Sequence, residues 1–165
     1  MAKKTPRTEN SKPQFWLFKT EPDEYSIDDL ATEKNCTWEG IRNYQARNRL
    51  RDDIRIGDQV FIYHSSCAKP AIVGLAIVTQ EAYTDSAQFD PTSHYYDAKS
   101  PTDKPRWLAV TLRYQRHLAN TITLAFIKKS GQFIDMELVA RPRLSIQSVS
   151  IEHANAILQL AGATE

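Results

Sequence analysis

The chain has 165 residues, of which 41% are hydrophobic and 25% charged, and its formal net charge is +1. These values are typical of a globular protein with one domain, and they exclude nucleic-acid binding through bulk positive charge. A run of about 18 apolar residues, which a membrane helix requires, does not occur in the sequence. We therefore expect a single hydrophobic core and no membrane partner.

The amino-terminal segment differs in character from the rest of the chain. Residues 1–13 are polar and mildly basic, and we predict a disordered tail there, followed by a single domain over residues 14–163. The segment lacks the apolar stretch of a secretion signal. Cys36 and Cys67 lack the spacing of a disulfide framework or a metal site, so we expect reduced thiols in a cytoplasmic protein.

Strand and cap signals predict the first elements. The aromatic-rich residues 14–20 predict a strand. Ser26 is the predicted N-cap of a short helix with acidic residues in its first turn, and Asn43 is the predicted N-cap of a second helix. After a glycine turn, residues 59–65 predict another strand.

The middle of the chain combines long strands with a long loop. The β-branched residues 71–83 predict a strand in which Gly74 marks a bulge or a close approach. Residues 85–105 are rich in Asp, Ser and Pro and predict a loop, and loops of this length are usually functional or disordered. Residues 106–118 alternate in polarity, which predicts a strand with one solvent-exposed face.

The carboxy-terminal part predicts short elements. We expect a helix that ends at Gly131, a strand within residues 143–150, and a final helix capped by Ser150. Strands with short helices between them, and without a βαβ rhythm, predict an α+β fold with a curved or barrel-like sheet.

Residues 38–55 concentrate five arginines together with asparagines and aromatic rings. Bases stack on rings and guanidinium planes at about 1–3 kcal/mol per base. Amides and hydroxyls read base edges, and arginine binds phosphates. We therefore predict nucleic-acid recognition by Trp38, Arg42, Asn43, Tyr44, Arg47 and Asn48.

Other residues of this segment are assigned to structure. Ala46 and Leu50 lie four residues apart and are predicted to pack on one helix face. Arg49 and Arg51 are predicted to be solvated or paired with the aspartates that follow them at positions 52 and 53.

A serine next to a histidine at the end of a strand raises the possibility of catalysis. However, adjacent strand residues point to opposite faces, so His64 and Ser65 are not placed to touch, and no G-x-S-x-G motif is present. The carboxylates and histidines match no metal-binding spacing. We predict no catalytic residue, metal or cofactor, which leaves ligand binding or a structural role for these residues.

Seven segments in order resemble the EVE domain family of the PUA-like superfamily, from about Phe15 to Ala161. They are FWLFKTEPDEYS, WEGIRNYQARNRLRD, GDQVFIYHS, IVGLAIV, FDPTSHYYDAKS, PRW and LVARPRLSIQSVS. The resemblance implies a PUA-like fold with a mixed pseudo-barrel sheet flanked by short helices. It also implies a pocket with an aromatic wall that captures a modified base in DNA or RNA, with cytosine modified at carbon 5 favoured.

Carried onto this sequence, the family's motifs imply two sets of site residues. The base pocket would contain Trp38, Asn43, Tyr44, Tyr63, His64, Ser65, Asp97 and Trp107. The phosphate contacts would be Lys19, Arg42, Arg47 and Asn48.

We therefore expect a noncatalytic reader of modified nucleic acid, with a monomer favoured. Two alternatives stay open: an enzyme that acts on a modified nucleotide through His64 and a nearby carboxylate, and a sensor of a small planar metabolite. Salt dependence separates reader from sensor, because phosphate contacts make affinity fall as salt rises. Product formation would identify the enzyme.

Overall fold

The computed structural model describes residues 12–162. The first half contains β1 (Phe15–Thr20), α1 (Ile27–Glu33), β2 (Asn35–Trp38), α2 (Tyr44–Asp52), β3 (Gln59–His64) and β4 (Ala71–Thr84). A 3₁₀ helix (Ser86–Phe89) then precedes β5 (Leu108–Thr123), α3 (Leu124–Ser130), α4 (Glu137–Ala140), β6 (Ile146–Val149) and α5 (Ile151–Leu160). Of the predicted tail over residues 1–13, residues 1–11 lie outside the described part.

The six strands form one mixed sheet in the order β2-β5-β4-β3-β1-β6. β1 and β3 are parallel, and every other neighbouring pair is antiparallel. The pairing of the 14-residue β4 with the 16-residue β5 shifts register at four places. Such bulges bend a strand and increase its twist, so the sheet curves. The predicted α+β fold with short flanking helices is confirmed.

One of these shifts falls at Gly74, as predicted. A Cβ atom at this glycine would lie 2.4 Å from Cδ1 of Ile27 and 3.0 Å from the backbone oxygen of Arg116. The missing side chain therefore lets the start of α1 approach the sheet closely.

Alternate strand residues face two hydrophobic cores. In β1, Trp16 and Phe18 belong to one core and Leu17 to the other, as expected from the two-residue period of a strand. Leu30 of α1 and Leu50 of α2 lie in the first core. The second core is completed by residues of α3, α4 and α5, namely Ile127, Leu138, Ala154 and Ile157.

The predicted caps are confirmed. The side chain of Ser26 accepts a hydrogen bond from the backbone of Asp29 in a capping box, and the side chain of Asn43 accepts one from Ala46. Ser150 caps α5 in the same way. The sequence patterns predicted neither β2 nor α4, which are four residues long each. At that length tertiary partners outweigh local propensity.

The long loop between β4 and β5 is folded around Gln88, whose side chain is fully buried. Its Nε2 donates to the backbone oxygen of Trp107 at 2.9 Å, and its Oε1 accepts from Oγ of Ser100 at 2.6 Å. These bonds tie both ends of the loop together, so residues in its middle are held against the rest of the protein.

Candidate functional site

A cavity of about 660 Å³ opens beside the first core. Its walls come from the end of β1 and the turn after it, the last residue of α1, β2, and residues 39–42. Ser65, Tyr95 and Ser145 complete the wall from three distant parts of the chain. The volume lies within the range of roughly 300–1,000 Å³ that is typical of small-molecule sites.

Three aromatic side chains line this cavity: Tyr25, Trp38 and Tyr95. The Trp38 ring lies 5.7 Å from the ring of Phe18 and 6.0 Å from that of Tyr25, to which it is perpendicular. Only 6% of Trp38 is exposed. The core therefore fixes its orientation and leaves a small part of its surface for a ligand.

Tyr95 packs directly against the backbone at Gly40. This glycine has φ +86°, and a Cβ atom there would lie 2.7 Å from Cζ of Tyr95. The Tyr95 hydroxyl donates a 2.7 Å hydrogen bond to Glu24. Burial, followed by this bond, raises the pKa of Tyr95 to about 12, so the hydroxyl remains a donor at neutral pH. Gly40 thus makes room for one aromatic wall of the cavity.

Carboxylates dominate the polar lining of the cavity. Glu21, Glu24, Glu33 and Glu39 face it together with two cationic residues, Lys19 and Arg42. Burial and the nearby charge of Asp85 raise the pKa of Glu39. Carboxylates accept hydrogen bonds from amino groups such as that of cytosine, and they repel phosphates. The cavity is therefore suited to a neutral ring with amino donors.

Arg42 is bonded mainly within the protein. Its Nε and Nη2 donate to the backbone oxygen of Tyr95 at 3.0 and 2.7 Å. Its Nη1 donates to Ile41 and to the buried carboxylate of Asp85, each at 2.9 Å. These bonds use four of the five guanidinium N–H groups. Arg42 holds the Tyr95 loop in place, and its predicted phosphate contact stays a prediction.

The structure places four of the predicted site residues on the wall of the cavity: Lys19, Trp38, Arg42 and Ser65. Another predicted group meets elsewhere. The Tyr44 ring stacks on Trp107 at 4.9 Å, and the guanidinium of Arg47 lies 4.8 Å from the Tyr44 ring. Trp107 donates to Asp97 at 2.8 Å. These residues do not line the large cavity, and their roles stay predictions.

The remaining predicted residues have partners inside the fold. Asn43 caps α2, and Asn48 accepts two hydrogen bonds from the guanidinium of Arg47. Tyr63 is buried in the second core. Nε2 of His64 accepts a 3.1 Å hydrogen bond from the backbone of Ile27 at the start of α1, and burial lowers the pKa of His64.

Two arginines illustrate the limits of local pattern. Arg51 pairs with Asp52 at 2.8 Å, as predicted. The prediction for Arg49 was wrong, because this residue binds both carboxylate oxygens of Glu137 in α4, at 2.7 and 2.9 Å. A partner 88 positions away cannot be read from local spacing.

Tyr95 and the four glutamates line the cavity but were not among the predicted site residues. One signal was available for Tyr95, since it lies in the long loop that was predicted to be functional or disordered.

Within residues 12–162, no group of three or more His, Cys, Asp or Glu residues is arranged to hold a metal ion. The same range contains no helix with the length and apolar character needed to cross a membrane.

A mixed sheet with short helices, beside an acidic and aromatic cavity of the size of a small-molecule site, defines a small α+β domain. The sequence model of the EVE domain family matches residues 14–160 of this chain. This chain belongs to the EVE domain family, which confirms the predicted family and its PUA-like fold.

Two relatives that share one name support this assignment. Thymocyte nuclear protein 1 of Danio rerio is 38% identical over 90% of this chain and 73% of its own length. The human protein of that name is 36% identical over 95% of this chain and 79% of its own length.

The predicted cytoplasmic localisation and the predicted monomer stay predictions.

Solved structures agree with this placement. A hypothetical protein from Leishmania major has a TM-score of 0.88 and 38% identity, covering 92% of this chain and 96% of its own. Human THYN1, crystallised in complex with DNA containing 5-methylcytosine, has a TM-score of 0.86 and 35% identity. That match covers 92% of this chain and 99% of the human one.

Proposed function

We propose that this protein is a noncatalytic reader of DNA that contains 5-methylcytosine and that it takes the modified base into the large cavity. The observation that carries the proposal is the complex of human THYN1 with such DNA, since that protein shares this fold at a TM-score of 0.86. Rotating a base out of a duplex costs a few kcal/mol. Contacts inside the cavity must offset that cost.

The cavity lining matches the chemistry of cytosine. A base can stack on Tyr95 or Trp38, and such stacking contributes about 1–3 kcal/mol. The carboxylate of Glu39 or Glu24 can accept a hydrogen bond from the exocyclic amine of the base. A buried methyl group adds about 0.8 kcal/mol, which alone corresponds to roughly fourfold discrimination. A larger preference requires close packing around the methyl group.

The position of His64 favours binding over catalysis. Its Nε2 already accepts a hydrogen bond from Ile27, so this nitrogen is not free to act as a general base. His64 is also absent from the lining of the large cavity. If the wild-type protein converted a modified nucleotide to product and His64→Gln lost this activity, the protein would be an enzyme and the reader proposal would be wrong.

A cavity-filling substitution tests the proposal without opening a hole in the core. Ser145→Phe places a ring inside the cavity, whereas Ser148→Phe makes the same change at an exposed position of β6. Fluorescence anisotropy would compare two duplexes that differ only in one methyl group on cytosine. We expect the wild type and Ser148→Phe to prefer the methylated duplex and Ser145→Phe to lose that preference.

Two results would contradict the proposal. One is a wild-type protein that binds both duplexes equally, which would remove the reading of 5-methylcytosine. The other is a Ser145→Phe protein that keeps its melting temperature and its full preference, which would place the base elsewhere. The same assay with single-stranded RNA carrying the methylated base measures whether RNA is bound as well.

A further inference from the structure

Two smaller cavities continue from the large one. The first, of about 260 Å³, shares Lys19 and Ser65 with the large cavity and also contains Lys128 of α3. The second, of about 380 Å³, contains Arg141 and Arg143. Residue 142, a proline, lines both small cavities. The shared residues show that the three cavities follow one another along the surface.

The small cavities have the opposite charge to the large one. Their linings, as formed by the described residues, include Lys19, Lys128, Arg141 and Arg143 and no carboxylate. The large cavity carries four glutamates. A phosphate is repelled by the glutamates and attracted by the cations, while a neutral base is indifferent to either net charge. The charge pattern therefore separates places for a base and for its backbone.

Three cations of the small cavities have free donors, and the fourth, Arg141, donates from Nη1 to the carboxylate of Glu137 at 3.4 Å. Within residues 12–162, Lys128 and Arg143 make no ion pair or side-chain hydrogen bond. The ammonium of Lys19 donates to the backbone oxygen of Pro142 and has three N–H groups in total. In contrast, Arg47 uses three donors on Asn48 and on the backbone of residue 106.

We propose that Lys19, Lys128, Arg141 and Arg143 form a phosphate track. The phosphates that flank the captured base bind along the two small cavities. Lys19 lies at the junction between the cavity that holds the base and the cavities that bind the backbone. This inference rests on the proposed function, because the track leads to the base only if the large cavity holds one. It places the main phosphate contacts on the surface formed by α3 and residues 141–143.

Matched charge removals on α3 test the track. Lys128 and Lys129 are adjacent, exposed and both in the last turn of the helix, but only Lys128 lines the small cavity. The affinity of each variant for the methylated duplex would be measured between about 50 and 200 mM salt. We expect Lys128→Gln and Arg143→Gln each to reduce the slope of log affinity against log salt by roughly 0.9. Lys129→Gln should keep the wild-type slope.

The outcomes separate the track from base reading. Equal slopes for Lys128→Gln and Lys129→Gln, with Arg143→Gln at the wild-type slope, would overturn the track. If the wild type binds methylated and unmethylated duplexes equally but the slopes still differ as expected, the track stands and the reading of 5-methylcytosine fails. Melting temperatures confirm that each exposed substitution leaves the fold intact.

Discussion

Replacing Gly40 by alanine tests whether a base uses the Tyr95 wall of the cavity. Gly40 has φ +86°, and the new Cβ would lie 2.7 to 2.9 Å from three atoms of the Tyr95 ring. The ring must therefore move. Gly57→Ala is the matched control, because Gly57 has φ +92° and nothing lies within 4 Å of its Cβ position.

The two variants should lose similar backbone stability. An L-residue at positive φ costs roughly 1–2 kcal/mol, and each kcal/mol lowers the melting temperature by about 2–4 °C in a protein of this size. We expect a loss of about 2–8 °C in both variants, with any extra loss in Gly40→Ala reporting the clash with Tyr95. Circular dichroism during heating measures this difference.

Binding should separate the two variants. If Tyr95 stacks on the base, its displacement removes about 1–3 kcal/mol, which is roughly a 5- to 150-fold loss of affinity. Anisotropy with the methylated duplex, at a temperature where both variants are folded, measures the loss. Gly57→Ala should bind like the wild type. Equal affinities of Gly40→Ala and Gly57→Ala would refute the assignment of Tyr95 to the base site.

Three further substitutions test the contacts that support the site. Burial lowers the pKa of His64, whose neutral form accepts a hydrogen bond from the backbone of Ile27. The contribution of this hydrogen bond to folding stability is therefore present above about pH 6.5 and is lost as the pH falls through the lowered pKa. Between about pH 7.5 and 5, the melting temperature of His64→Gln should therefore fall by less than that of the wild type. Equal decreases in the two proteins would contradict this. Burial acts to raise the pKa of Glu137, but hydrogen bonds from Arg49 and from the backbone of residue 148 outweigh it and lower the pKa overall. Glu137→Gln should cost about 1.5–3 kcal/mol in urea denaturation at neutral pH. That difference should shrink as the pH falls below the ordinary Glu value of about 4.5 and through the lowered pKa of Glu137, because protonation makes this side chain neutral like Gln, and a constant difference would refute the role of the ion pair. Gly74→Ala should cost about 1–3 kcal/mol by overpacking against Ile27, and Ile27→Val in the same chain should recover part of it, whereas strictly additive losses would exclude that contact.

Sequence reasoning located one side of the site but not the other. The segment that begins at Trp38 was predicted to bind a base, and Trp38 and Arg42 do line the cavity. The opposite wall comes from Tyr95, which is 55 positions from Gly40 in the chain. Their contact depends on how the loop folds around the buried Gln88. A pattern within one segment cannot report a contact of that kind.

The sequence by itself determined the local elements. Ser26, Asn43 and Ser150 begin helices because each side chain bonds a backbone N–H only three residues further on. The alternation in β1 likewise assigned its residues to two faces without reference to any other segment.

Only the tertiary structure decided which cations can reach a ligand. The sequence predicted Arg42 as a phosphate contact and did not single out Arg143, although both arginines lie in connecting segments. In the fold, four N–H groups of Arg42 are taken by Tyr95, Ile41 and Asp85, while Arg143 lines a cavity without a carboxylate. A guanidinium has five donors, and distant parts of the chain determine how many of them stay available.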